Sequence, residues 1–256
     1  YALDSVMIEL IFVVGPLIVA AIVTAVGAQA ALAVSAAIGF GGTVAFVVAL
    51  RGHPGPEPDR RRPAFGIGPL ASPGLRTLVI ASLPVGFCLG TIEVVLPAFS
   101  AAEGDPALGG VLLAVWCAAS GISGLLYGAR PTRMPLTEQH LRFAALLPLA
   151  SLPMVFAGSP AVMAALVVIA GAPMAPLIAS RNQLVSDVAP QGTAAEAFTW
   201  PLTALITGVS LGVAVAGSLS EESGWTAAML AGVAVAGAGA VQIFLQRDRL
   251  EARPAT

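Results

Sequence analysis

The chain has 256 residues and a formal net charge of −2; hydrophobic residues make up 57%, charged residues 10%, and the mean hydropathy is +0.90. Soluble domains carry roughly 25% charged residues, so this composition excludes both a water-soluble globule and a disordered chain. Two cysteines exclude a disulfide scaffold, and the charge balance offers no basic surface for nucleic acid.

A membrane helix needs roughly 20 mostly apolar residues. In chain order the sequence predicts eight such spans, at about 5–26, 29–50, 76–100, 108–129, 141–157, 160–181, 196–218 and 224–246. The fifth is short and carries Pro148 and Pro153. No ten-residue alternation of the kind that marks β-barrel strands is present. The reading is an all-α polytopic membrane protein.

All twelve basic residues are Arg, and they fall between alternate spans. The gap after the second span holds Arg51, Arg60, Arg61 and Arg62, with Arg76 at its end; the gap after the fourth holds Arg130, Arg133 and Arg142. Arg181 follows the sixth span, and Arg247, Arg249 and Arg253 form the tail. The remaining gaps hold Glu103, Asp105, Glu221 and Glu222 instead. The positive-inside rule then places the Arg-bearing gaps, and both ends of the chain, in the cytoplasm of a cell that carries the protein in its plasma membrane.

Residues 51–75 are polar and rich in Pro and Gly, a linker composition. They separate 1–50, with two spans, from 76–247, with six; 248–256 is a cytoplasmic tail. The six read as three plus three, as in transporters built from inverted repeats. Gly86 with Gly90, Gly124 with Gly128, and Gly208 with Gly212 each make G-x-x-x-G, which lets helix backbones approach closely. The second and fifth of the six helices carry the motif at corresponding places.

These features resemble the major facilitator superfamily, whose members have two six-helix halves joined by a cytoplasmic loop. The run from Leu3 to Pro16 resembles the family's fifth helix, where a Gly-Pro pair, here Gly15 and Pro16, belongs to a motif of proton-coupled exporters. Leu17 to Ala21 depart from the Gly pair that usually follows. Thr91 to Phe99 is similar to the seventh helix of the bacterial drug-exporter-like branch, and Gly192 to Trp200 to the start of the eleventh. Gly128 to Arg133 echoes the family's loop motif. The resemblance covers the whole chain. It implies the last two helices of an N-terminal bundle plus a six-helix C-terminal bundle, with about four helices preceding Tyr1. It also implies a monomer that moves a small-molecule substrate across the bilayer by rocking two bundles around a midplane site.

Glu93 is the sharpest single residue. It lies seven residues before Ser100, about 10 Å from the outer end of its span. A carboxyl there is costly against lipid and should face the bundle or a water-filled cavity. It reads as a proton-coupling or substrate-contacting group, or as a structural hydrogen bond between helices. Glu9 lines the cytoplasmic mouth or reaches to the interface. Gly15 and Pro16 kink the first span or simply pack it. Arg181, Asn182 and Asp187, with Arg130, form a cytoplasmic gate or an ordinary solvated helix end. Thr193 to Glu196 read as a capping box.

His53 and His140 fall in loops with no second ligand at metal spacing, and no cofactor is implied. Gly121 to Gly124 read G-x-S-G, as in intramembrane serine proteases, but Ser123 needs a base, and the chain has no Lys and only those two loop His. The expectation is a non-enzyme: a proton-coupled efflux transporter, an antiporter. Proton-coupled uptake or uniport of a small solute is the alternative.

Overall fold

The computed structural model describes residues 18–19, 22, 26–51, 68–130, 132–190 and 192–250. The chain divides into two compact units, 1–66 and 67–256, so the division falls inside the predicted linker. Most of that linker, and Glu9, Gly15 and Pro16 of the first predicted span, lie outside the described residues.

In the first unit, α1 runs Ala28–Leu50. Its 23 residues extend about 34 Å, enough to cross the hydrocarbon core, and it is apolar on every side. Thr43, one of its few polar residues, donates back to the Gly39 carbonyl at 2.8 Å.

Among its described residues the second unit has seven further α-helices: α2 (Pro73–Ala102), α3 (Ala107–Ala129), α4 (Leu136–Ser151), α5 (Pro160–Gly171), α6 (Met174–Val188), α7 (Ala194–Ser223) and α8 (Trp225–Leu245). Six described segments are long and apolar enough to cross a membrane: Gln29–Leu50, Pro73–Ala102, Ala107–Ala129, Pro160–Val188, Glu196–Ser223 and Trp225–Leu245. The fifth predicted span is not among them. It forms as α4 plus a 3-10 segment, Leu152–Phe156, because Pro148 and Pro153 cannot donate to the α ladder.

Three expectations are corrected here. The sixth span does not end at Arg181; α5 and α6 follow one another across Ala172 and Pro173, and the helix continues to Val188. His140 is no loop residue but lies in the second turn of α4 and is 3% exposed. The capping box does not close: Thr193 sits at the N-cap of α7 without a side-chain cap bond, and its hydroxyl donates instead to the Pro190 carbonyl at 2.7 Å. The N-caps that do form side-chain bonds are Ser72, which accepts from the Leu75 N–H, and Ser159, which accepts from the Val162 N–H, each at 3.4 Å, with Pro73 and Pro160 pre-set at the first helical position.

Helix α2 is the axis of the second unit. It packs on α7, α8 and α3, while α3 also packs on α5 and α4 on α8 and α6. Its buried hydroxyls are satisfied within the helix, Ser82 by the Leu78 carbonyl, Thr91 by that of Phe87 and Ser100 by that of Leu96. Leu75, Leu78, Ile92, Leu96 and Phe99 are buried against Leu112, Leu147 and Met229, and Phe99 meets Trp225 edge to face at 5.1 Å.

The α2–α7 contact is backbone against backbone. A Cβ at Gly86 would collide with the Leu205 carbonyl and one at Gly90 with that of Val209. Reciprocally, a Cβ at Gly208 would collide with the Leu83 carbonyl and one at Gly212 with that of Phe87. The order of the contacts makes the two helices parallel. Gly128, in the third G-x-x-x-G, makes no such approach: it is exposed, with nothing within 4 Å of a Cβ. The first and fifth helices of the six thus pair through their motifs.

The four glycines give a direct test. Gly90→Val and Gly208→Val should each cost about 1–3 kcal/mol through overpacking, or prevent assembly, whereas Gly128→Ala should stay within about 0.5 kcal/mol of wild type. Thermal unfolding of the purified protein in detergent measures the difference.

Candidate functional site

Glu93 is exposed on α2. It lies three residues after Gly90 and seven after Gly86, so it shares their face of the helix. The cover that α7 gives those glycines therefore does not extend to the carboxyl. Four residues on, Pro97 has no N–H, so the backbone carbonyl of Glu93 loses its usual helical donor. A carboxyl side chain and a freed carbonyl thus occupy one level of α2. Pro97 is exposed as well. The α2 helix is 30 residues long, and Glu93 stands about 8 Å beyond its midpoint toward the Ala102 end.

Helix α7 presents a second polar feature that hydropathy alone does not reveal. Thr203, Thr207, Ser210 and Ser218 share one exposed face, roughly opposite Gly208 and Gly212. Each hydroxyl donates to a carbonyl one turn back: Thr203 to Thr199 at 2.9 Å, Thr207 to Thr203 at 2.8 Å, Ser210 to Ile206 at 3.1 Å and Ser218 to Ala214 at 3.2 Å. The i, i+4, i+7 spacing of Thr203, Thr207 and Ser210 was the available signal.

The predicted gate residues are not brought together as one network. Arg181 is 7% exposed inside α6. Its Nε and Nη2 donate to Asn182 Oδ1 at 3.3 and 3.1 Å, and its Nη1 to Ser82 Oγ at 3.4 Å. Asp187 is exposed further along the helix, and no ion pair joins it to Arg181 among the described residues. A solvated helix end describes Asp187 but not Arg181. Arg130, at the end of α3, is exposed and lines an open pocket of about 420 Å³ with Ser123, Tyr127, Gln139 and Arg142. Tyr127 donates to Gln139 Oε1 at 2.7 Å, and Gln139 Nε2 to the Met134 carbonyl at 2.7 Å, which ties the α3–α4 loop to both helices. Arg142 is paired with Glu138 at 2.7 Å.

Ser123 does not acquire a base from His140. That imidazole is buried against α6, its Nδ1 3.0 Å from Ser180 Oγ, and the Ser180 hydroxyl donates on to the Leu177 carbonyl at 3.0 Å. Of the cysteines, Cys88 is buried and Cys117 partly so. Among the described residues no group of three metal-ligating side chains assembles.

Helices of membrane-crossing length and apolarity, packed together through glycine, define a membrane protein. The chain belongs to the Major Facilitator Superfamily, whose family model matches residues 1–200. It is a multi-pass membrane transporter of small-molecule substrates, and its family points to a non-enzyme. A comparison with curated proteins finds no match.

If the α7 stripe is wetted in the membrane, Thr203→Cys and Thr207→Cys should react with a water-soluble maleimide above the background of the two native thiols. Leu205→Cys, on the buried face, should not. Equal labelling of all three would place the stripe elsewhere.

Proposed function

We propose that the protein is a proton-coupled efflux transporter, an antiporter of the drug-exporter-like branch, working by alternating access with Glu93 as the coupling carboxylate. The carrying observation is Glu93 itself: an exposed carboxyl on the central helix, beside a carbonyl freed by Pro97. A neutral carboxyl is cheap to desolvate, while a charged one needs water or a partner. A bundle that alternates between wet and dry surroundings at this point couples its movement to a proton.

The reading includes eight spans: two closing an N-terminal bundle, then six. Support for two inverted three-helix repeats comes from the packing. Exchanging α2, α3 and α4 with α5–α6, α7 and α8 maps the α2–α7 contact onto that between α5 and α3, and the α2–α8 contact onto that between α6 and α4; all four occur. The close approach recurs too, since a Cβ at Gly171 of α5 would meet the Trp116 carbonyl of α3 at 2.6 Å. The Arg distribution supports cytoplasmic ends in a plasma-membrane protein. The substrate then leaves past the α7 stripe in a monomeric carrier. The tie across Tyr127 and Gln139 suits a cytoplasmic gate at Arg130.

In proteoliposomes with an imposed pH gradient, Glu93→Gln should abolish gradient-driven accumulation, by at least tenfold, while folding and exchange at zero gradient survive. Accumulation at the wild-type rate would remove Glu93 from the coupling role, leaving it a substrate contact or a structural group.

Orientation has its own test. Cysteines placed at Asp105 or Glu222 should react with an impermeant thiol reagent applied outside intact cells, and one at Arg133 should not. The reverse pattern would invert the topology.

A further inference from the structure

Arg181 is the one buried side chain among the described residues that carries a charge at neutral pH; the other buried ionisable groups are the His140 imidazole and the Cys88 thiol. Arg181 meets α2 at Ser82, about 13 Å into that helix, well inside the span. Both acceptors it contacts, Asn182 and Ser82, are neutral. The ion pairs among the described residues are Arg142 with Glu138 and Arg247 with Asp248, so no described carboxylate reaches Arg181. A guanidinium has five N–H donors, and these contacts use three. A buried cation with only neutral partners is strongly unfavourable unless something offsets its charge.

Beside the guanidinium lies a cavity walled by α2, α4, α6 and α8. Leu78, Ser82, His140, Leu177 and Ile243 line it together with Arg181. It offers about 20 Å³ to water-sized occupants, and one water needs roughly 10–15 Å³. That is room for one occupant about the size of a water, such as a monatomic ion. The mostly aliphatic wall keeps the local dielectric low, which strengthens attraction to the single fixed positive charge. Ser82 accepts from Nη1 while donating to Leu78, and so orients the guanidinium.

We propose that this cavity binds one monatomic anion, chloride under physiological conditions, as the counter-charge of Arg181. The site lies inside the six-helix core rather than on the outward face that carries Glu93. It stands whether or not Glu93 couples transport to protons.

The test uses the full chain, purified in detergent and titrated with chloride replacing gluconate at constant ionic strength. Chloride and bromide should raise Tm saturably, by on the order of 5 °C at a hundredfold excess over Kd, and gluconate should not. Arg181→Gln should remove this dependence. Because that variant can fail to fold, Ala144→Val offers a second arm: it keeps the guanidinium, narrows the cavity that Ala144 lines, and should weaken the chloride effect at least fivefold. Crystals grown in bromide should show an anomalous peak in contact with Arg181. Equal Tm in chloride and gluconate for the wild-type protein, or a cavity without the bromide peak, would overturn the proposal.

Discussion

The contact of α2 with α7 is the constraint on which the second unit depends. In a bilayer the lipid is as apolar as leucine, so burying apolar side chains gives little drive for helices to associate. Attraction must come from close packing, and dispersion falls off steeply with distance. Gly86, Gly90, Gly208 and Gly212 each place a backbone carbonyl of the partner where a Cβ would stand. This arrangement fixes which face of α2 is covered and leaves the level of Glu93 uncovered. It also fixes the rotation of α7, and with it the outward direction of Thr203, Thr207 and Ser210.

The rest of the core fills in around that pair. Pro84 of α2 rests where a Cβ of Gly239 would be, and Thr91 where one of Gly232 would be, so α8 also approaches through glycine. The Thr91 and Ser100 hydroxyls of α2 answer to their own carbonyls, while Thr77 also reaches Gln246 and Ser82 accepts from Arg181. Arg181 differs from them, because its charge cannot be satisfied within its own helix.

Much of this fold was legible because bilayer helices announce themselves by length and apolarity. The described spans from 29–50 onward fall close to their predicted places, and the G-x-x-x-G spacings named the residues of the closest contact. They did not name the partner, because a spacing records that a face is small and not what lies against it; Gly128 belongs to the same pattern with nothing within 4 Å of its Cβ position. The helix ends were misread for a related reason. Arg181 and His140 look like boundary residues in a hydropathy profile, since charge lowers the local average whether it is solvated or buried. Only the packing of α6 on α2 and α4 shows that both face inward. The capping box failed because the Thr193 hydroxyl is turned back to the Pro190 carbonyl, to which it donates, and accepts nothing from the first turn of α7. Glu93 was found by charge alone, while the α7 stripe was missed because threonine scarcely disturbs an apolar average.

That stripe has a directional consequence. Four hydroxyls have already given their hydrogens to carbonyls of α7, so what they turn outward is lone pairs. A hydroxyl oxygen has two of these and a single proton. The wall is therefore an acceptor surface. An ammonium or an alcohol in contact with it would find acceptors, whereas a carboxylate or phosphate would find no donor unless a hydroxyl first broke its bond to the helix. The same face of α7 carries an exposed carboxyl near each end, Glu196 and Glu221, so the row of lone pairs runs between two groups that also only accept once ionised.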